Sequence, residues 1–564
     1  MTALDRSYAA DPVIGVPGPL PPAWQDQLTR TVVDQSLGRP DAALLAFRDP
    51  HQELCAQTGV TIGRPLTVSV VVPETQSTTK LFVGEVTALE LEVDSTGSYT
   101  VVHALGRAHR LQRGRRVLAF RDMSAAAIVR KVAANAGLTP GNIDVPSVIY
   151  QHLSQAGVSD WEFLQDLAAQ LGVVVRVDDT GKLDFAPPKP TGVPMELAHG
   201  KNLLALRAAL TSADQVDTVQ VRGWHVDAKK ALVATVPTKR SDTVQPGLKD
   251  ANFFPAKALV VGTPYGTQAE TIAAARSLAE SMSSALGELE AVVTGEAELT
   301  AGAPVKLAQC GPDFDGQYTA TSVRHAIDAD AGYRTTVLVT ATSDRSLGGL
   351  TSGVGPRARG PRFPGVATGI VTDIREPDTK QRGWVRLKFP WLDDTYETDW
   401  VRTAQLGGQG GGVFSPDVND EVLVAFEQGC LDLPYVIGGL YNGRDLPSQH
   451  DLPLVNGAGS VNRRSLVSRK GHRLELIDGV AGPPGVRVAS GDSHLEIRLD
   501  AARDTITIKA HGNSITLTQQ GITVDAGVGK LALKGGTVSV TGTTEATVDG
   551  GALATLRGAL VKIN

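Results

Sequence analysis

From Leu495 onward the chain repeats one small unit, two apolar residues one apart followed by a short polar or glycine break. The pairs are Leu495 with Ile497, Ile506 with Ile508, Ile515 with Leu517, Ile522 with Val524, Leu531 with Leu533, Val538 with Val540 and Val561 with Ile563. A unit of roughly nine residues suits short strands joined by tight turns. Alternation with period two gives each strand one apolar and one polar face. Such strands cannot make a core alone, and the sequence supplies no helix after Asn462 to cover the stripe. The simplest cover is further copies of the same stripe wound about a common axis. The fourteen residues of the pairs are therefore expected to form the core of a rod built from several chains.

A length of 564 residues allows roughly three or four domains at about 150 residues each. The apolar content of 42% and charged content of 20% suit a globular protein. A net charge of -6 argues against binding nucleic acid by phosphate neutralisation. Cys55, Cys310 and Cys430 are far apart and odd in number, which fits neither a disulfide framework nor a zinc site. The start of the chain lacks a basic segment followed by an apolar run, so synthesis and assembly in the cytoplasm are expected, with any release by a route other than ordinary secretion. No stretch is long and apolar enough to span a bilayer as a helix.

Residues 1–345 read as two strand-rich lobes with a few packed helices. Leu66–Val72 and Lys80–Val86 are β runs. Ser124 caps a first predicted helix. Ser159 and Glu162 form a capping box for a second, with Trp161, Leu164, Leu167, Ala168 and Leu171 along one face and Gly172 at its end. Thr267 and Glu270 open a third. A linker rich in Gly, Pro and Arg occupies 346–364. Residues 365–443 carry about five short strands, which suits a small closed barrel of the OB type. A second linker, 444–462, leads to the needle, 463–564. The predicted fold class is mainly β with some α: a two-lobed β-barrel hub with packed helices, an OB-fold barrel and a C-terminal intertwined triple-stranded β-helix.

The barrel carries an ordered series of motifs: Phe389-Pro390-Trp391, then Trp400 and Arg402, then glycines from Gly407 to Gly412, then Pro416, Asp420 and Glu421, then Pro434 to Gly443. This series resembles the OB domain of the VgrG family, the central spike proteins of type VI secretion and related contractile injection systems. Ser159–Leu164, Asp315–His325 and Ser468–His472 resemble hub and needle segments of the same family, so the likeness spans nearly the whole chain. Asn419 stands where the family usually has glycine, and Asn tolerates the left-handed turn needed there. Cys430 stands where aspartate is common. The resemblance implies a homotrimer that joins a six-fold inner tube to a three-fold needle. Its implied partners are the inner-tube protein, baseplate subunits, a PAAR-type tip protein docking at Lys562, Ile563 and Asn564, and effector cargo. The target membrane is contacted only transiently. No appended effector domain is read after Asn564.

Residues of other chemistries are present as well. Asp393, Asp394, Glu397 and Asp399 form an acidic cluster that an envelope-degrading glycosidase would need as paired carboxylates, but a solvated loop explains them. His472, His494 and His511 would meet their copies on a three-fold axis if they pointed inward; outward polar positions are the expectation. Trp384, Trp391 and Trp400 could stack on bases or sugars, yet the acidic chain lacks a basic stripe. A surface-binding protein with a monomeric β-solenoid is the remaining alternative. No catalytic residue, cofactor or metal ligand is assigned, and no enzymatic activity is expected.

Overall fold

The computed structural model describes residues 10–563 apart from 73–76, 191, 214, 249–254, 329–330, 341–361, 378–380, 410 and 480–482. Most of the predicted 346–364 linker, and Asn564 among the tip-docking residues, lie outside the described residues. The chain is mainly β with a few helices and separates into two compact units, Met1–Leu440 and Tyr441–Asn564.

The first unit is organised by an 11-stranded sheet. One half of it runs from the edge strand Leu203–Leu210 through Gly287–Thr294 and Gly332–Val339 to Ser322–Asp328. The other half runs from Leu28–Ser36 through Ala42–Arg48, Gly97–Leu105, Ser77–Asp94, Pro65–Val72 and Asp11–Val16 to the short edge strand Gly18–Pro19. The halves meet where Ser322–Asp328 pairs antiparallel with Leu28–Ser36, in the register His325 opposite Val33. The two predicted lobes thus share one continuous sheet. Each half has its own core, one around Val33, Leu45, Phe47 and Val68 and the other around Leu289, Val293, Val305 and Val337.

Polar side chains hold the seam. Gln35 is buried; its amide donates to the Leu81 carbonyl at 2.9 Å, and its oxygen accepts from the Ala301 N–H at 3.4 Å. Buried amide groups need such partners, because leaving one unsatisfied costs about 1–3 kcal/mol. Arg324 closes the same seam with a two-pronged contact to Asp34 at 2.6 and 3.0 Å.

Three helices pack beside these sheets. Ala125–Asn135 starts at Ser124, whose hydroxyl accepts from the Ala127 N–H. Asp160–Leu171 has the full capping box of Ser159 and Glu162, buries the apolar face read from sequence and ends at Gly172, φ +70°. Gln268–Ser284 has the corresponding box of Thr267 and Glu270. A Cβ on Gly172 would lie 3.3 Å from Ser277, and the Ser277 hydroxyl donates to the Ala169 carbonyl at 2.5 Å. Glycine is needed there for both its left-handed backbone and the close approach of the second helix.

The barrel lies in the same unit. Its five strands order as Arg386–Lys388, Val366–Asp373, Glu421–Phe426, Pro434–Gly439 and Arg402–Thr403. Reciprocal bonds between Val385 and Val401, at 3.0 and 2.7 Å, join the first strand to the last and close the ring. Val371, Leu387, Phe389, Val422 and Val424 fill it, and the core extends to Ala156, Val117 and Ala119 of the antiparallel strand pair Arg116–Ser124 and Ile149–Val158.

The second unit holds a seven-stranded antiparallel meander: Arg463–Val467, Arg473–Ile477, Gly485–Ala489, Leu495–Asp500, Thr505–Ala510, Asn513–Thr518 and Gly521–Asp525, each paired with the next. Among the described residues no strand follows Asp525. The three last predicted pairs, expected at the core of a rod of several chains, lie beyond these strands in the single chain. Leu531 and Leu533, Val538 and Val540, and Val561 and Ile563 lie in no strand of this chain, and all six are exposed. Leu533 is 68% exposed and Val540 is 76% exposed, so neither is a core residue of the single chain. The physical reason is the backbone: a strand is held by hydrogen bonds to a neighbour, and one chain offers these residues none.

Candidate functional site

The register of the meander places its apolar residues in two rows that cross the strands. Leu466, Leu474, Val488, Ile497, Ile508, Ile515 and Val524 are successive cross-strand partners, and so are Leu476, Val486, Leu499, Ile506, Leu517 and Ile522. Directly opposed residues share a face, so both rows lie on one side of the sheet. The predicted pairs from Ile506 to Val524 take their places in the rows. Of the first predicted pair only Ile497 lies in a row: Leu495 stands opposite Ala510, and Leu499 stands opposite Ile506. Leu466, Leu474, Leu476, Val486 and Val488 extend the rows upstream and were missed. The spacing Leu474-Glu-Leu476 and Val486-Arg-Val488 was their signal in the sequence.

Burial on this sheet runs opposite to polarity. The first apolar row is 37% to 49% exposed, whereas on the other face Glu475 is fully buried and Asp500 is 6% exposed. The polar face is covered at the first strands by the chain's own segment 448–454. Arg463 donates to the Ser448 carbonyl at 2.7 Å and Arg473 to the Gln449 carbonyl at 3.3 Å. A soluble sheet ordinarily buries its apolar side. A contiguous apolar face of this length marks an association surface.

In the barrel, Phe389 is fully buried and stacks between Tyr396 and Trp391. Trp391 is partly exposed, and its indole N–H donates to the Thr368 carbonyl at 2.8 Å; Pro390 between them is exposed. The Arg386 guanidinium lies over Trp400 at 4.9 Å and that of Arg402 over Tyr435 at 5.3 Å. Half-buried Pro416 leads into a tight turn in which the Asp420 carboxylate accepts from the Asp417 N–H at 2.8 Å. Asn419 there has φ +73°, and Glu421 opens the next strand, its carbonyl accepting from the Leu440 N–H at 2.9 Å. The motif residues are thus packing and turn residues of one small barrel.

Residues 367–441 match the family model described as the type VI secretion system/phage-baseplate injector OB domain. A second model, described as the Alg8 N-terminal domain, matches residues 66–329. The chain is 27% identical over 132 residues to the type VI secretion system spike proteins VgrG2a and VgrG2b of Pseudomonas aeruginosa. Over these residues the chain is similar to VgrG spike proteins. The match covers 22% of this chain and only 15% and 13% of those relatives. Among solved structures, an Escherichia coli type VI secretion component is 17% identical with a TM-score of 0.48, over 73% of this chain and 97% of that one. The 43 kDa tail protein of prophage MuSo2 from Shewanella oneidensis is 16% identical with a TM-score of 0.44, over 59% and 98%.

The acidic cluster of the VgrG-like chain is tied up in structure. Asp393 caps its own turn, accepting from the Thr395 hydroxyl at 2.6 Å and the Thr395 N–H at 2.7 Å. These bonds hold its carboxyl below the usual range, the wrong direction for a general acid. Glu397 accepts from Thr372 at 2.7 Å and pairs with Arg121 at 3.3 Å and Arg386 at 3.4 Å. Asp399 lies 3.9 Å from Arg386. His494 and His511 are neighbours with ring centroids 4.8 Å apart, and His472 accepts from the Gly491 N–H at 3.1 Å. All three sit at exposed turns of the meander, and no group of three or more metal-ligating side chains occurs among the described residues.

Proposed function

We propose that this VgrG-like chain is the structural spike and hub at the baseplate of a contractile, phage-tail-like injection system. It joins a six-fold inner tube to a three-fold needle that punctures a target envelope. The observation that carries this reading is the inverted burial of the meander. Covering two rows of Leu, Ile and Val would contribute about 1.5–3 kcal/mol per fully buried side chain, and a second and third copy of the chain supply a matching surface. The unpartnered pairs beyond Asp525, Leu533 and Val540 among them, would then gain strand neighbours from the other copies. That gives the intertwined β-helix and a trimer inseparable from folding. The two half-sheets of the hub, three times over, present six comparable faces to the tube.

Inner-tube protein, baseplate subunits and a PAAR-type tip at Lys562, Ile563 and Asn564 are the partners this reading assigns, with effector cargo carried by the tip. The action is mechanical rather than enzymatic. Assembly takes place in the cytoplasm and the particle acts outside it. Light scattering on the purified full chain tests the proposal, with a mass of three chains expected. A monodisperse, soluble monomer would sink it.

A further inference from the structure

Segment 448–454 has a chemistry that the spike reading leaves unused. Glu475 is fully buried, with Arg463, Arg473 and Arg487 guanidinium nitrogens at 3.7, 3.4 and 3.5 Å from its carboxylate. Arg487 also pairs with Glu496 at 2.8 Å. His450 reaches into this cluster, its Nε2 3.3 Å from the same carboxylate. The Leu452 N–H donates to His450 Nδ1 at 2.8 Å, so Nδ1 is the acceptor and the proton sits on Nε2, aimed at Glu475. Beyond this point Asn462 fastens the segment again, donating to the Pro453 carbonyl from its side chain and to the Leu454 carbonyl from its backbone, both at 2.8 Å. Arg463, Arg473, Glu475 and Arg487 all project from the polar face, because Glu475 stands opposite Arg487 in the register and alternates with Leu474 and Leu476.

We infer that segment 448–454 and the Glu475 cluster form an intrachain latch. It closes the polar face of the first three strands, so that only the apolar face is open to further copies of this chain. A sheet with two open faces and a free edge can associate in several registers. Closing one face with buried, directional charge pairs leaves one mode of association, a use of buried ions in which specificity matters more than stability. The inference rests on the spike reading for the identity of the second copy.

The experiment compares wild type, His450→Ala and Glu475→Gln in the full chain, using hydrogen exchange of residues 448–454 and native mass. His450→Ala removes the segment's side-chain contact to Glu475, keeps its backbone anchors to Arg463, Arg473 and Asn462, and leaves the Glu475–arginine pairs intact, so the sheet folds even if Glu475→Gln is too disruptive. Exchange at 448–454 at least about tenfold faster in His450→Ala, together with a spread of masses beyond the trimer, is the expected result. A wild-type rate and a single mass in both variants would overturn the latch. A wild-type chain that is itself monomeric would instead overturn the spike reading, while the exchange rates still report on the latch.

Discussion

At the scale of single residues, the hub holds its most sensitive group at the seam. His325 is buried between the halves. Its Nε2 donates to the Leu299 carbonyl at 3.0 Å, and its Nδ1 accepts from the Tyr333 hydroxyl at 2.9 Å. The neutral ring is fully satisfied, and burial pushes its pKa down to about 4. A depressed folded value means the unfolded chain binds the extra proton first. The stability from neutral His325 is therefore whole above the ordinary imidazole value near 6.5 and drains away as pH falls from there towards 4, by about 3 kcal/mol. Urea unfolding of the hub at a series of pH values should show that loss, and His325→Gln should flatten the curve between those limits. Asn419 gives a second residue-level expectation. Its left-handed backbone favours Asn or Gly over other residues. Asn419→Ala should lower the barrel's stability by about 1 kcal/mol while Asn419→Gly leaves it near wild type, read from chemical denaturation. The turn was legible from Pro416 to Glu421 in the sequence. The seam was not, because Leu28–Ser36 buries Thr31 and Gln35, and a buried polar residue looks in sequence like a solvated one.

At the scale of elements, the two sides of one strand make opposite predictions. Ile508 sits in an apolar row and Thr507 on the polar face of the same strand. Ile508→Asp should reduce the assembled species to single chains, since a carboxylate would have to be desolvated at the contact. Thr507→Asp should leave the mass unchanged. Analytical ultracentrifugation of the pair separates a facial interface from a general loss of sheet stability, which would affect both. Alternation alone exposed the stripe in the sequence, and capping boxes exposed the two best-marked helices, because both signals are local. Register is not local. Which of Leu495 and Leu499 faces Ile506 depends on how the turn between Asp500 and Thr505 closes. The upstream half of the rows was hidden because the sequence spacing from Leu474 and Leu476 to Val486 and Val488 is longer and breaks the roughly nine-residue rhythm.

At the scale of the whole molecule, the barrel is tied to the hub rather than hung from a linker. Arg121 donates to the Glu397 carbonyl at 2.5 Å and pairs with its carboxylate. Tyr396, inside the barrel, meets Ser154 at 2.8 Å and His152 at 3.2 Å, all three buried. Ala156, Val117 and Ala119 complete the barrel's apolar core. None of this was visible in the sequence, since the residues are small or polar and lie some 240 or more positions from their partners. Buried, directional polar contacts hold such a joint more rigidly than apolar packing alone. The consequence is that residues 362–440 produced without the hub should be markedly less stable than the same residues within 10–440, with the Tyr396 hydroxyl newly wetted. Ala156→Asp in the longer chain should mimic that loss by forcing a charge into the shared core, at a cost of several kcal/mol. Urea unfolding followed by pulsed hydrogen exchange, which separates residues 362–440 from the rest where tryptophan fluorescence would also report Trp24, Trp161 and Trp224, would show the barrel melting ahead of the hub in the variant. A barrel that unfolds at the same denaturant concentration alone, in the variant and in the intact chain would mean that the joint contributes nothing to its stability.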